Sequence, residues 1–305
     1  MGQTLFLTGA SGYVGNRLLD QLDSSRFTRI VCLVRHRDSI PAEMTDREGV
    51  ELAVGDLLAA ETYSACLEGC DTVIHLAAVT GKARPRAYFN VNAEGTRQLL
   101  EVATRAGVRN FLHISTIAVK FSDQTRYFYA HSKVLAERLV RESGLAHTIL
   151  RPTIVIGRGA PVLSGLAKLA DAPVMPVFGN GKTLVQPVFV DDLVATIRAI
   201  LAEERFEDET IEIGGAETMT IEELLIRIRR IVSGKPPRSL HLPLRPVRAL
   251  LSVLERFFLP IMPLTAGQLA LFANDSRVEP SSFVDQRKDG FLAVDRVLEM
   301  VASDG

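Results

Sequence analysis

The sequence predicts an α/β protein, a doubly wound parallel sheet with a smaller, mostly helical C-terminal lobe. Three observations carry that expectation. Apolar strands alternate with helical stretches through the first 150 residues, a glycine-rich turn follows directly on the first strand, and the alternation loosens after about residue 157. Strands that read as unbroken apolar runs are covered on both faces, and right-handed crossovers then place helices on either side of the sheet.

The first strand, Thr4–Thr8, is centred on Leu5-Phe6-Leu7. It runs straight into Thr8-Gly9-Ala10-Ser11-Gly12-Tyr13-Val14-Gly15. Gly9 and Gly12 let the backbone turn sharply and approach a pyrophosphate, and Gly15 lets the next helix pack close to the sheet. That helix, Tyr13 to about Leu22, aims its first amides at the phosphates. A strand before and a helix after make this a Rossmann-type dinucleotide turn, with Gly9, Ser11, Gly12, Tyr13 and Val14 as candidate cofactor contacts.

Further strands are expected at Arg29–Val34, Val50–Val54, Thr72–Leu76, Asn110–Ser115 and His147–Leu150, with helices at Ala60–Leu67, Ala93–Ala106 and Ser132–Glu142. Gly107 and Gly144 are natural stops for the last two helices. Beyond residue 157, loops and short helices are expected up to Pro187, then a helix from Asp191-Asp192 to about Glu203 and a strand at Thr210–Ile213. Thr220 and Glu223 read as a capping box for a helix through Ile231. The predicted division is a dinucleotide-binding domain over 1–157, to which 187–215 returns, and a substrate lobe over 158–186 and 216–305.

Composition bounds the function. Hydrophobic residues make up 47% and charged residues 23% of 305, and the formal net charge is −1. This is a globular composition without a strong field for nucleic acid. Three cysteines and a start lacking a signal-type apolar run point to a reduced, cytoplasmic setting. Residues 257–273 carry no charge but are interrupted by prolines and are too short to span a bilayer. Just upstream, Val247, Leu250, Leu251, Leu254, Phe257 and Phe258 recur at helical spacing. Such a helix either packs on its own lobe or offers an apolar wall to a greasy substrate, a partner or a membrane surface, giving a peripheral contact through 244–273. A homodimer through a helix pair of the dinucleotide domain is a further option.

Tyr129-Ala130-His131-Ser132-Lys133 is the second chemical signal. Of five tyrosines only Tyr129 has a lysine four residues on, which puts phenol and ammonium on one helical face. A neighbouring ammonium favours tyrosinate and suits the phenol to proton exchange near neutral pH. The fifth strand ends in Ser115-Thr116, whose side chains point to opposite faces, so only one hydroxyl can face Tyr129. Cys66 and Cys70, His75 and His113 read as packing and core residues, and no metal site is expected.

These motifs together resemble a short-chain dehydrogenase/reductase of the extended or atypical branch, over essentially the whole chain. The resemblance implies that Asp56 and Leu57, in Gly55-Asp56-Leu57, lie at the adenine. It implies that Ala77 and Ala78 wall the cofactor, that Asn92 belongs to the Asn-x-x-Gly-Thr helix, and that Pro152 and Thr153 reach the nicotinamide amide. It places the catalytic hydroxyl at Thr116, with Ser115 second, and a helix cap at Asp191. The lobe also resembles relatives of the nucleotide-binding accessory subunit of respiratory complex I.

The second strand ends Val34-Arg35-His36-Arg37, with no acid before Asp38. An acid at that point binds the ribose 2′-hydroxyl of NAD, whereas Arg35 suits a 2′-phosphate, so NADP(H) is favoured over NAD(H). The expected reaction is hydride transfer to or from the carbonyl or hydroxyl of an apolar small molecule. Tyr129 serves as acid/base, Thr116 orients the oxygen, and Lys133 holds the ribose and lowers the tyrosine pKa. The alternatives are a sugar-nucleotide-type epimerase or dehydratase with transient hydride transfer, and a non-catalytic NADPH-binding structural or sensor protein.

Overall fold

A computed structural model describes residues 3–23, 26–259, 261–262, 264–279 and 281–303. Pro260 and Pro263, in the uncharged 257–273 stretch, lie outside the described residues. Seven parallel strands form the main sheet: β1 (Gln3–Thr8), β2 (Phe27–Val34), β3 (Val50–Val54), β4 (Thr72–His75), β5 (Asn110–Ile114), β6 (Ala146–Pro152) and β7 (Glu209–Ile213). Their spatial order is β7-β6-β5-β4-β1-β2-β3. The order reverses between β1 and β4, so the crevice beyond those two strand ends is where such sheets bind ligands. Register pairs Thr8 with both Leu33 and His75, and His75 with His113, which brings the ends of β1, β2, β4 and β5 to one edge.

The helices of eight or more residues are α1 (Tyr13–Gln21), α2 (Gly95–Arg105), α3 (Phe128–Glu142), α4 (Pro161–Asp171), α5 (Val190–Ala202), α6 (Ile221–Ile231), α7 (Leu244–Phe258) and α8 (Val294–Ser303). One buried cluster on one sheet face takes in Leu5, Leu18 and Ile74 and continues without a break through Leu193 and Ile197 to Leu225 and Val297. The other face is closed by Phe6, Val31, Tyr63, Leu99, Phe111 and Val140. Leu5, Phe6 and Leu7 are all buried, as expected of a strand covered on both sides.

Several local expectations are corrected. Ala60–Leu67 is two 3-10 turns, Ala60–Thr62 and Ser64–Leu67, rather than an α-helix. The Thr62 hydroxyl donates to Ala59 O at 2.6 Å and accepts from Asp56 N–H, so side-chain bonds compete with the helical ladder there. A π turn, Phe89–Glu94, precedes α2. The 161–187 stretch holds more order than expected, with α4 and a strand, Met175–Phe178, that pairs in parallel with Ser239–Leu242. Asp191 is not a cap. The N-cap of α5 is Phe189, and the Asp191 carboxylate instead accepts from Arg17 and from Gln21, tying α5 to α1.

Candidate active site

The glycine turn shows why each glycine stands where it does. Gly9 has φ +74°, and a Cβ there would lie 2.6 Å from Ala77 N. A Cβ on Gly15 would lie 2.0 Å from Gly9 O, so helix and turn could not close together. Gly12 N–H donates to Gly9 O at 2.9 Å, and no side chain caps α1. Ser11 and Gly12 are exposed at the rim of the crevice, with Val14 half-buried behind them. Tyr13 is half-buried. Its phenol is buried, pushed up to about 12 by desolvation, and sits where a Cβ on Gly157 would be 2.5 Å away.

Arg35 is exposed two residues beyond Leu33, which the β1–β2 register pairs with Thr8 at the start of the turn. Arg37 is exposed in the next 3-10 turn. Asp56 is exposed past β3, where its carboxylate accepts from Leu58 N–H at 2.8 Å, and Leu57 is buried against Gly95. Ala77 N–H donates to Thr8 Oγ1 at 3.3 Å, placing Ala77 and Ala78 along the end of β4. The Asn92 side chain is consumed internally. Its amide grips Val79 N–H at 2.7 Å and Val79 O at 3.0 Å, and donates to Ser132 Oγ at 2.9 Å. Pro152 ends β6, and the Thr153 hydroxyl donates to Gln186 O at 2.5 Å.

The structure distinguishes the two hydroxyls after β5. Ser115 Oγ donates to Glu137 Oε1 at 2.6 Å and is buried on the α3 side. The Thr116 side chain accepts from Ala118 N–H at 3.2 Å and lies beside the Tyr129 phenol, near enough to lower its pKa. Helix α3 begins at Phe128, four residues earlier than expected, so Tyr129 sits in its first turn, with Lys133 and Glu137 each one turn further on.

One electrostatic expectation is corrected. Burial pushes the Tyr129 phenol up to about 12, opposed by the nearby Thr116 side chain, and Lys133 is not among the groups that lower it. The Lys133 ammonium instead donates to Ile114 O at 2.5 Å and lies 3.3 Å from His113 Nε2. Its own pKa is brought down to about 7 by burial, with Glu137 acting the other way. Glu137 is held below its ordinary range, despite burial, by Arg151, Ser115 and Arg141. Sequence reading missed Glu137, although the spacing Tyr129–Lys133–Glu137 marks one continuous helical face. His75 is a core residue bridging Thr8 and Thr96 at 2.7 and 2.9 Å, and burial brings it down to about 3.

A cavity of about 450 Å³ opens over Tyr129. Tyr88, Tyr127, Phe128 and Phe257 supply aromatic walls, and Arg84, Arg126, Arg256 and Glu255 also line the space. Gly267 lets the lobe press on the Arg126–Tyr127 backbone, since a Cβ there would be 2.4 Å from Arg126 O. The cavity is therefore lined by aromatic and charged residues together, with arginines in excess, where sequence reading pointed only to apolar character.

The model of the NAD dependent epimerase/dehydratase family matches residues 5–214, from β1 to just past β7. The chain belongs to that family. It is an NAD(P)-dependent enzyme of the oxidoreductase type, in the extended short-chain dehydrogenase/reductase branch. A relative of broad coverage is the N-acetyl-alpha-D-glucosaminyl-diphospho-ditrans,octacis-undecaprenol 4-epimerase of Escherichia coli O157:H7, 28% identical over 80% of this chain and 76% of that protein. A 3-beta-hydroxysteroid dehydrogenase of Mycolicibacterium neoaurum is 30% identical over 52% of this chain, which spans about half that relative's length. Among solved structures, the dTDP-glucose 4,6-dehydratase of Streptomyces venezuelae, with NAD bound, superposes with a TM-score of 0.74 at 21% identity, covering 99% of this chain and 96% of that one. Among the described residues no helix is long and apolar enough to cross a membrane.

Proposed function

We propose that this enzyme is an NADP(H)-dependent reductase or dehydrogenase acting on the carbonyl or hydroxyl of a small molecule with an apolar body. The observation that carries the reading is the Thr116 hydroxyl beside the Tyr129 phenol, beneath a cavity walled by aromatic rings. The residues at the crevice fit a dinucleotide. Gly9 and Gly15 leave no room for a Cβ, α1 lacks a side-chain cap, and Arg35 stands exposed at the end of β2. Gly9, Ser11, Gly12 and Val14 would face the pyrophosphate, Arg35 the 2′-phosphate, Asp56 and Leu57 the adenine, and Ala77, Ala78, Pro152 and Thr153 the nicotinamide half.

Bound NADP(H) supplies the hydride. Thr116 holds the substrate oxygen beside the phenol, and Tyr129 gives up its proton to that oxygen in the reducing direction, or takes one in the oxidising direction. With its pKa near 12, Tyr129 is protonated at neutral pH and is poised first as an acid. A turn of Lys133 from Ile114 O toward the cofactor ribose would bring its charge to the phenol and ease that proton transfer.

A second reading is favoured by Arg84, Arg126 and Arg256 in the same cavity. Three guanidiniums suit a phosphorylated substrate, and the epimerase relative acts on a diphospho-linked sugar. Transient hydride transfer on such a substrate would consume no net cofactor. Following NADPH absorbance with apolar ketones and aldehydes tests the choice. Net oxidation of NADPH that is lost in Tyr129→Phe supports reduction. Product formation with tightly held cofactor and no net oxidation supports epimerisation instead.

A further inference from the structure

Helix α7 has two apolar faces, and only one is covered. Val247 and Leu251 pack inward on the main core cluster. Leu250, Val253 and Phe257, on the opposite side, are 59%, 59% and 75% exposed, and Ile261 just beyond the helix is 79% exposed. Single exposed apolar residues are ordinary, but a continuous row along one helix marks an interaction surface. Cations border the row. Arg245 and Arg256 are exposed on the same outward half of α7. The one acid in the helix, Glu255, turns inward, accepting from Ala266 N–H and lying 3.8 Å from Arg126. An apolar row with a positive border thus sits on a chain whose formal charge is −1 overall.

We propose that α7 is an interfacial helix that seats the enzyme on an anionic lipid bilayer. Leu250, Val253, Phe257 and Ile261 enter the acyl boundary, while Arg245 and Arg256 meet lipid phosphates. Charge complementarity selects this occupant, because acyl chains answer the row and acidic headgroups answer its border. A second copy related by a two-fold axis would instead oppose one arginine border to another. Arg256 and Phe257 also line the cavity above Tyr129, so the docked face carries the cavity mouth. Entry of an apolar substrate from the bilayer follows from that placement and rests on the reaction proposed above, whereas the docking surface does not.

The test is flotation of the full chain with vesicles of phosphatidylcholine alone and of phosphatidylcholine mixed with phosphatidylglycerol. The chain should float with the anionic vesicles, less so at high salt, and weakly with the neutral ones. Leu250→Glu with Val253→Glu should lower partition by at least about tenfold, and Arg245→Ala by roughly fivefold. None of these three residues lines the cavity, and all are exposed, so NADPH binding and the thermal midpoint should stay unchanged. Absence of wild-type flotation, or equal flotation of the Leu250→Glu/Val253→Glu variant, overturns the proposal. A wild-type dimer that this variant dissociates, without vesicle binding, assigns the row to a second copy. NADPH titration of the same samples separates failure of docking from failure of the cofactor reading.

Discussion

At the strand ends polar side chains are buried and bonded, whereas along the outer face of α7 apolar side chains stand in water. Lys133 is 2% exposed and rests on Ile114 O, Ser115 is bonded to Glu137, and Asn92 grips Val79 and Ser132. Leu250, Val253 and Phe257 have no comparable cover. Both arrangements run against the usual distribution, since burying a charge costs stability and exposing a large apolar row gains none. Departures of this kind concentrate at functional sites. They are of different sorts, though: the strand ends are pre-organised internally, while α7 is completed from outside.

That contrast can be broken by experiment, beginning with the largest effect. Tyr129→Phe should lower kcat by roughly 10²–10⁴ while leaving the cofactor dissociation constant in place, measured by steady-state kinetics and fluorescence titration. A loss smaller than tenfold would remove the acid/base role from Tyr129. Gly15→Ala puts a Cβ into Gly9 O and should cost about 1–3 kcal/mol in chemical denaturation, along with weaker dinucleotide binding.

Lys133 offers a pH signature. Its folded pKa of about 7 lies below the ordinary 10.5, so between those values the unfolded chain binds a proton that the folded chain does not. Stability should therefore rise with pH across that window, by up to about 1.4 kcal/mol per unit from this residue. Lys133→Met should flatten the slope relative to wild type, and an unchanged slope would mean that Lys133 is not desolvated. The smallest effect is expected on α7. Leu250→Ser should change stability by less than about 0.5 kcal/mol, whereas Leu225→Ala in the buried core should cost roughly 2–5 kcal/mol. A large loss at Leu250 would show that the outer row is structural.

The dinucleotide half was legible because its signals are local. Leu5-Phe6-Leu7 running into Gly9, Gly12 and Gly15 states strand, turn and helix in a single stretch, and Tyr129–Lys133 states a helical face. What was hidden depends on partners distant in sequence. Ser115 and Thr116 could not be separated until Glu137 was seen to take one of them and Tyr129 the other. Lys133 was expected to lower the phenol pKa, but the nearby Ile114 carbonyl competes for its ammonium. On α7, Val247 and Leu251 are as apolar as Leu250 and Val253, so periodicity gave no inside or outside. The arginines of the cavity come from three separate segments, and no spacing in the chain joins them.

The most direct test of the account is titration of the purified enzyme with NADPH and NADH, followed by cofactor fluorescence, in wild type and Arg35→Ala. The account predicts clear preference for NADPH, by about tenfold or more for a charge-assisted pair to a 2′-phosphate, and collapse of that preference in Arg35→Ala with NADH affinity retained. Equal affinities in wild type, or a preference that survives the substitution, would contradict the 2′-phosphate assignment. Absence of binding to either dinucleotide would contradict the site itself.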